Sequence, residues 1–227
     1  MRHPSREPII ANTENFMNTE NATKQSGGAG IALHPLVRPS RQYDVIYADP
    51  PWSYSYGSSV AGGRGQNTTY HCERCVDIFD MPVEQFAKDD CTLFMWASYP
   101  MLPEAIFCLR QWGFIYKTVA FVWVKKNSKA GTNFFGMGQW TRTNSEIVLL
   151  GVRGKPKRES KAVSQIIEAP IQEHSRKPEQ VRRAIETLMG DAERCELFAR
   201  GQFDGWDCIG LEANSVNSSP GNDEVNA

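Results

Sequence analysis

The feature that most constrains this 227-residue sequence is an ordered series of short apolar runs, rich in β-branched and aromatic residues and separated by helical patterns. The runs are DVIYA (44–48), TLFMWA (92–97), TVAFVWV (118–124), EIVLLGV (146–152) and CELFA (195–199). Each is short enough for a strand and apolar on both faces, as parallel strands covered by helices tend to be. Leu102, Ile106 and Leu109 recur at helical spacing ahead of Gly113. A stronger helix is predicted from Pro178 through Val181, Ile185, Leu188 and Met189 to Gly190, with Pro at its start and Gly past its end. Strands alternating with helices specify a three-layer α/β fold.

The tails read differently. Residues 1–40, with SGGAG at 26–30, and residues 214–227 are rich in small and polar residues and carry no apolar period. They are expected to be mobile tails around one folded domain at 41–213. No run reaches the roughly 18 apolar residues of a membrane span, and the first residues lack the apolar stretch of a secretory signal. A cytoplasmic protein is therefore expected. Cys72 and Cys75 form a CxxC after His71, but no second close pair follows, so no metal site is expected and the six cysteines read as reduced thiols.

The net charge of −1 conceals a strong asymmetry: residues 117–183 hold 14 Lys/Arg against 5 Asp/Glu. This suggests one basic face, suited to a polyanion. Lys155, Lys157 and Arg158, within the run from Arg153 to Lys161, are candidates for phosphate contacts, with Lys125, Lys126, Lys129 and Arg142.

Ligands in open α/β sheets bind beyond the carboxyl ends of the strands. After the first strand comes Asp49-Pro50-Pro51-Trp52. Asp49 supplies an acceptor, the two prolines fix the backbone and leave carbonyls without competing N–H groups, and Trp52 offers a flat face for stacking. These groups suit a planar base with an exocyclic amine. The lone pair of such an amine is conjugated with its ring. Acceptors placed off the ring plane favour a pyramidal nitrogen able to attack a methyl group, which is catalysis by positioning and electrostatic complementarity. Trp96, Trp112 and Trp123 fall in strand and helix patterns and read as core. Trp140, in a loop with Gly136 and Gly138, reads as an exposed substrate contact, and His174 as structural.

With ADPPW (48–52), the motifs WVKKN (123–127), GQW (138–140), NSEIVLLGVRGKP (144–156), HSRKPEQV (174–181) and ELFAR (196–200) resemble the MT-A (seventy-kilodalton subunit) family of S-adenosylmethionine-dependent adenine-N6 methyltransferases, in its bacterial and phage type. The resemblance implies a Rossmann-like methyltransferase fold, circularly permuted so that the catalytic motif comes first and the cofactor strand last. It implies S-adenosyl-L-methionine as cofactor and Asp49–Trp52 as the catalytic loop. Lys177 would meet the cofactor's carboxylate, Glu196 and Arg200 would lie near its ribose, and Asp49 and Glu212 would be further cofactor contacts. Tyr70 matches the aromatic of a loop closing over the adenine, and the Gly/Ser-rich segment 53–67 reads as a lid. Two departures stand out: Leu211 replaces an asparagine, and Tyr70-His71-Cys72 replaces the family's His-Tyr-Pro pattern. The implied substrate is nucleic acid, with DNA favoured over RNA by analogy with compact bacterial and phage members. The alternatives are the same chemistry on RNA adenosine, cytosine-N4 methylation, and a silent binding subunit, which would typically have lost Asp49 or Trp52. A monomer or homodimer is expected, with no membrane partner.

Overall fold

The computed structural model describes residues 41–52, 75–138, 140–172, 176–210 and 213. The expected tails, the lid at 53–67, Tyr70, Cys72, His174, Leu211 and Glu212 lie outside them.

Seven strands form one sheet: β1 (Tyr43–Ala48), β2 (Ala87–Ala97), β3 (Ile115–Lys126), β4 (Ser145–Arg153), β5 (Ile166–Pro170), β6 (Arg194–Leu197) and β7 (Asp207–Ile209), in the order β5-β3-β4-β2-β1-β6-β7. β1 pairs in parallel with β2 and β6, β6 with β7, and β3 with β5. β4 runs antiparallel to both β2 and β3.

Side chains alternate across the strands and build a core on each face. Ile46 and Ala48 of β1 join Leu93 and Met95 of β2 on one face, beneath α1 (Cys75–Phe79) and α2 (Leu102–Gln111), which contribute Ile78 and Leu109. Val45, Tyr47, Phe94 and Trp96 point to the other face, against Val181 and Ile185 of α3 (Glu179–Met189). Helices on both faces give the three-layer, Rossmann-like α/β fold that the alternation specified. α2 ends ahead of Gly113, at φ +82°, and α3 at Gly190, at φ +66°, left-handed positions where glycine carries no Cβ penalty. Trp96, Trp112 and Trp123 are buried, as their pattern required.

Two features depart from the sequence reading. β4 is as apolar as its neighbours yet reversed, because apolar composition reports burial on both faces and not strand direction. β5 and β7 escape detection. β5 alternates exposed and buried residues over five positions at the sheet edge, and β7 has three half-buried residues.

Reversal of β4 matters for position. Ala48 is level with Met95, whereas Arg153 pairs with Cys91, four residues earlier on β2. Arg153 is thus about 13 Å back along the sheet from the end of β1, and the chain continues away from there. The Lys155 amide binds Asp90 at 2.7 Å, and the Glu159 amide binds Leu188 at 2.8 Å, near the end of α3. Conversely, the excursion 127–144 joining β3 to β4 leaves from the same end of the sheet as Asp49.

Candidate active site

The tetrapeptide after β1 forms a rigid turn. Neither Pro50 nor Pro51 has an amide hydrogen, so ladder pairing stops there. The Trp52 N–H folds back onto the Pro50 carbonyl at 2.8 Å, an i to i+2 turn that leaves that oxygen a second lone pair. Trp52 is 7% exposed and belongs to the core below α2, with its indole N–H donating to the Trp96 carbonyl at 3.0 Å. Its ring therefore anchors the turn to β2; it does not stand as the free stacking face expected from the sequence.

Asp49 heads a row of alternating charges. The Lys177 ammonium, on a side chain 15% exposed, lies 3.1 Å from Asp49 Oδ2 and 3.5 Å from Glu146 Oε2. Lys125 Nζ lies 2.6 Å from Glu146 Oε1. Indole rings floor the row: Lys177 sits 5.3 Å from the ring centre of Trp96, and Lys125 5.1 Å from that of Trp123. Burial, the largest influence on Lys177, favours its neutral form, but Asp49 and Glu146 outweigh it and raise its pKa above the ordinary lysine value. Burial likewise pushes Glu146 up, but Lys177 and Lys125 outweigh it and hold the carboxyl below its ordinary value. Each shift favours the charged form, so the Lys177–Glu146 pair is held ionised. Glu146 was not singled out in the sequence, and Lys125 only as a candidate phosphate contact. Their signal was a charged residue at the Asp49 end of each of two otherwise apolar strands.

The candidates on the cofactor side divide. Glu196 is level with Tyr47 on the face that packs against α3. There Arg182 of α3 takes both of its carboxylate oxygens, Nε to Oε2 at 2.5 Å and Nη2 to Oε1 at 3.0 Å. The guanidinium also lies 3.4 Å from the ring centre of Phe203. Glu196 therefore braces α3 against the sheet and does not present its carboxylate to a ribose, contrary to the expectation. Arg200 is exposed just beyond β6. The chain reaches it through Phe198, at φ +62°, and Ala199, whose amide donates to Ile209 at 3.0 Å. Gly210 is clamped against this segment: a Cβ there would lie 2.2 Å from the Ala199 carbonyl oxygen.

The nucleic-acid candidates also divide. Trp140 is 99% exposed, on the excursion that opens beside Asp49. Lys155, Lys157 and Arg158 are exposed but lie at the opposite end of the sheet, so they do not share a face with the Asp49–Trp52 turn, as the register of β4 dictates. Among the described residues no cluster of three metal-ligating side chains occurs. Cys91 and Cys195 are buried thiols, and burial pushes the Cys91 thiol up to about 12.

The sequence that builds this arrangement is similar to those of known proteins. The type II methyltransferase M.MunI of a Mycoplasma species is 34% identical over 191 residues, covering 77% of this chain and 79% of that protein. An N(6)-adenosine-methyltransferase MT-A70-like protein of Arabidopsis thaliana is 29% identical over 182 residues, and the human N(6)-adenosine-methyltransferase catalytic subunit METTL3 29% over 161 residues. The matches cover 77% and 70% of this chain but only 24% and 26% of those longer proteins. The MT-A70 family model matches residues 43–212, from the first residue of β1 to beyond β7, and the chain belongs to that family.

Proposed function

We propose that this chain transfers a methyl group from S-adenosylmethionine to the exocyclic N6 amine of adenine in DNA. The observation that carries the reading is Asp49, held at the end of β1 between a proline turn and Lys177. When bound, S-adenosylmethionine would supply an electrophilic methyl group. The donor set suits it in part: Lys177 offers a cation for its carboxylate and Arg200 a second polar contact beyond β6, whereas Glu196 is committed to Arg182. Asp49 Oδ and the spare lone pair of the Pro50 carbonyl accept the two amine hydrogens. That draws the nitrogen out of conjugation and aims its lone pair. After transfer the surplus proton leaves to Asp49 or water. Lys177 helps by keeping Asp49 in place as an acceptor.

The order of elements supports a circularly permuted arrangement, with the catalytic strand β1 first and β6, which leads to Arg200, last but one. DNA is favoured because the chain covers most of M.MunI but about a quarter of the N(6)-adenosine-methyltransferases. Those adenosine enzymes support the second reading, the same chemistry on RNA. No helix among the described residues is long and apolar enough to cross a membrane. Incubation with labelled S-adenosylmethionine and separate DNA and RNA pools, followed by nucleoside mass spectrometry, tests the proposal. N6-methyladenine in the DNA pool is the expected product. Label only in RNA would replace the first reading by the second, and label in neither would overturn both.

A further inference from the structure

The described residues of the excursion 127–144 form a hydrogen-bonded lobe with an apolar outer end. Its base is fixed by backbone bonds from the Phe134 amide to Lys125 at 2.8 Å and from the Lys125 amide to Asn144 at 2.8 Å. Its outer lobe is closed by the Gly136 amide on Thr143 at 2.9 Å. Both glycines in that lobe are sterically required. A Cβ on Gly136 would lie 2.5 Å from the Thr143 carbonyl oxygen, and one on Gly138 would lie 1.8 Å from that of Thr141. Yet this tight lobe sends three large apolar side chains into solvent: Phe135 is 67% exposed, Met137 97% and Trp140 99%. An exposed apolar cluster on an ordered turn marks a contact surface.

Charge indicates the partner. Between Lys125 and Ser145 there is no acidic residue, while Lys126, Lys129 and Arg142 are present. Lys126 is paired with Glu168 at 3.0 Å, whereas Lys129 and Arg142 are exposed and make no ion pair among the described residues. Apolar tips flanked by cations fit a polyanion with stackable faces, which is nucleic acid. The lobe also stands at the end of the sheet that bears Asp49, and its second foot leads directly into Glu146.

A base paired in a duplex cannot reach Asp49 and must be extruded, at a cost of a few kcal/mol in lost stacking and pairing. Apolar side chains inserted between base steps are a known way to open a duplex. We infer that Met137 and Trp140 form a wedge that enters the duplex beside the target adenine and holds it unstacked, with Lys129 and Arg142 on the adjoining phosphates. This rests on the DNA reading above and adds to it a division of labour: the strand-end residues act on the amine, and the excursion exposes it.

The test compares one DNA in two forms. Sheared genomic DNA is offered double-stranded or heat-denatured, at equal adenine concentration, to wild-type protein and to the double variant Met137→Ser, Trp140→Ser. Both substitutions fall on fully exposed side chains, so the fold is preserved, and circular dichroism checks this. The expected result is a loss of methyl transfer on duplex at least ten-fold larger than the loss on the denatured strands, because only the duplex needs opening. Equal losses on the two forms, or no loss on either, would overturn the wedge. So would a shift from dimer to monomer in sedimentation, which would make the lobe a protein–protein contact. Wild-type protein that methylates RNA but neither form of DNA would remove the DNA reading itself, a failure distinct from that of the wedge.

Discussion

Glu146 links two lysines to each other and, through Lys177, to Asp49, so Glu146→Gln perturbs the whole row with little change of shape. The amide can still accept from Lys125, now 2.6 Å from Glu146 Oε1, but the charge between the two ammonium groups is gone. At an effective dielectric of 20, each contact is worth roughly 4–6 kcal/mol of gross attraction. Desolvation offsets most of that, and removing one partner of a buried pair costs about 3–5 kcal/mol in measured cases. Glu146 retains some exposure, so about 2–4 kcal/mol is expected, equivalent to a fall in Tm of roughly 4–16 °C for a domain of this size. Burial favours the protonated form of Glu146, the lysines outweigh it, and the net pKa is lowered in the folded protein. Its stabilising contribution is therefore complete above the ordinary glutamate value near 4.5 and is lost as pH falls through the lowered folded value. Differential scanning calorimetry of wild type and variant at pH 7 and at a series of pH values below 5 measures both effects. A Tm difference under 2 °C at pH 7, or one that does not shrink with acidification, would refute the charge row as an energetic unit.

Asp49→Ala should reduce methyl transfer by at least a hundred-fold while leaving a native circular dichroism spectrum, since it removes an acceptor and no core group; turnover near wild type would discard Asp49 as the amine's acceptor. Lys177→Ala should weaken binding of S-adenosylhomocysteine about ten- to a hundred-fold, the worth of a lost charge-assisted hydrogen bond, and calorimetry showing an unchanged Kd would remove Lys177 from the cofactor contacts. Neutralising Lys129 and Arg142 should flatten the slope of log K against log salt on duplex by about 1.8, whereas neutralising Lys155, Lys157 and Arg158 should leave it nearly unchanged. The reverse pattern would place the substrate at the far end of the sheet.

Apolar runs and helix punctuation carried the layers of the fold, because both are local consequences of burial and backbone geometry. DPPW announced the rigid turn that ends β1, because two successive prolines cannot continue a strand ladder. What the sequence concealed was everything decided across the sheet. Nothing in EIVLLGV records that β4 is reversed, and that single fact moves the basic run at 155–158 away from Asp49. Glu196 looks like a ligand residue when read along the chain. Only the facing of β6 toward α3 shows that Arg182 claims it. Lys177 was legible through its motif, whereas its partner Glu146 was hidden because it is brought there by a strand three places away in the sheet, counted from β6.

The reversed β4 also decides where this fold can change without being rebuilt. Val124 and Ser145 are paired neighbours, so the two feet of the excursion stand one strand spacing apart in a rigid sheet. A segment grafted between them need satisfy only that fixed gap, and lengthening it costs little, about 0.6 kcal/mol for each doubling. Asp49, Glu146 and Lys177 sit on the strands or beyond other strands, outside the graft. The β3–β4 connection is thus a natural cassette, exchangeable while the geometry of the charge row is inherited intact.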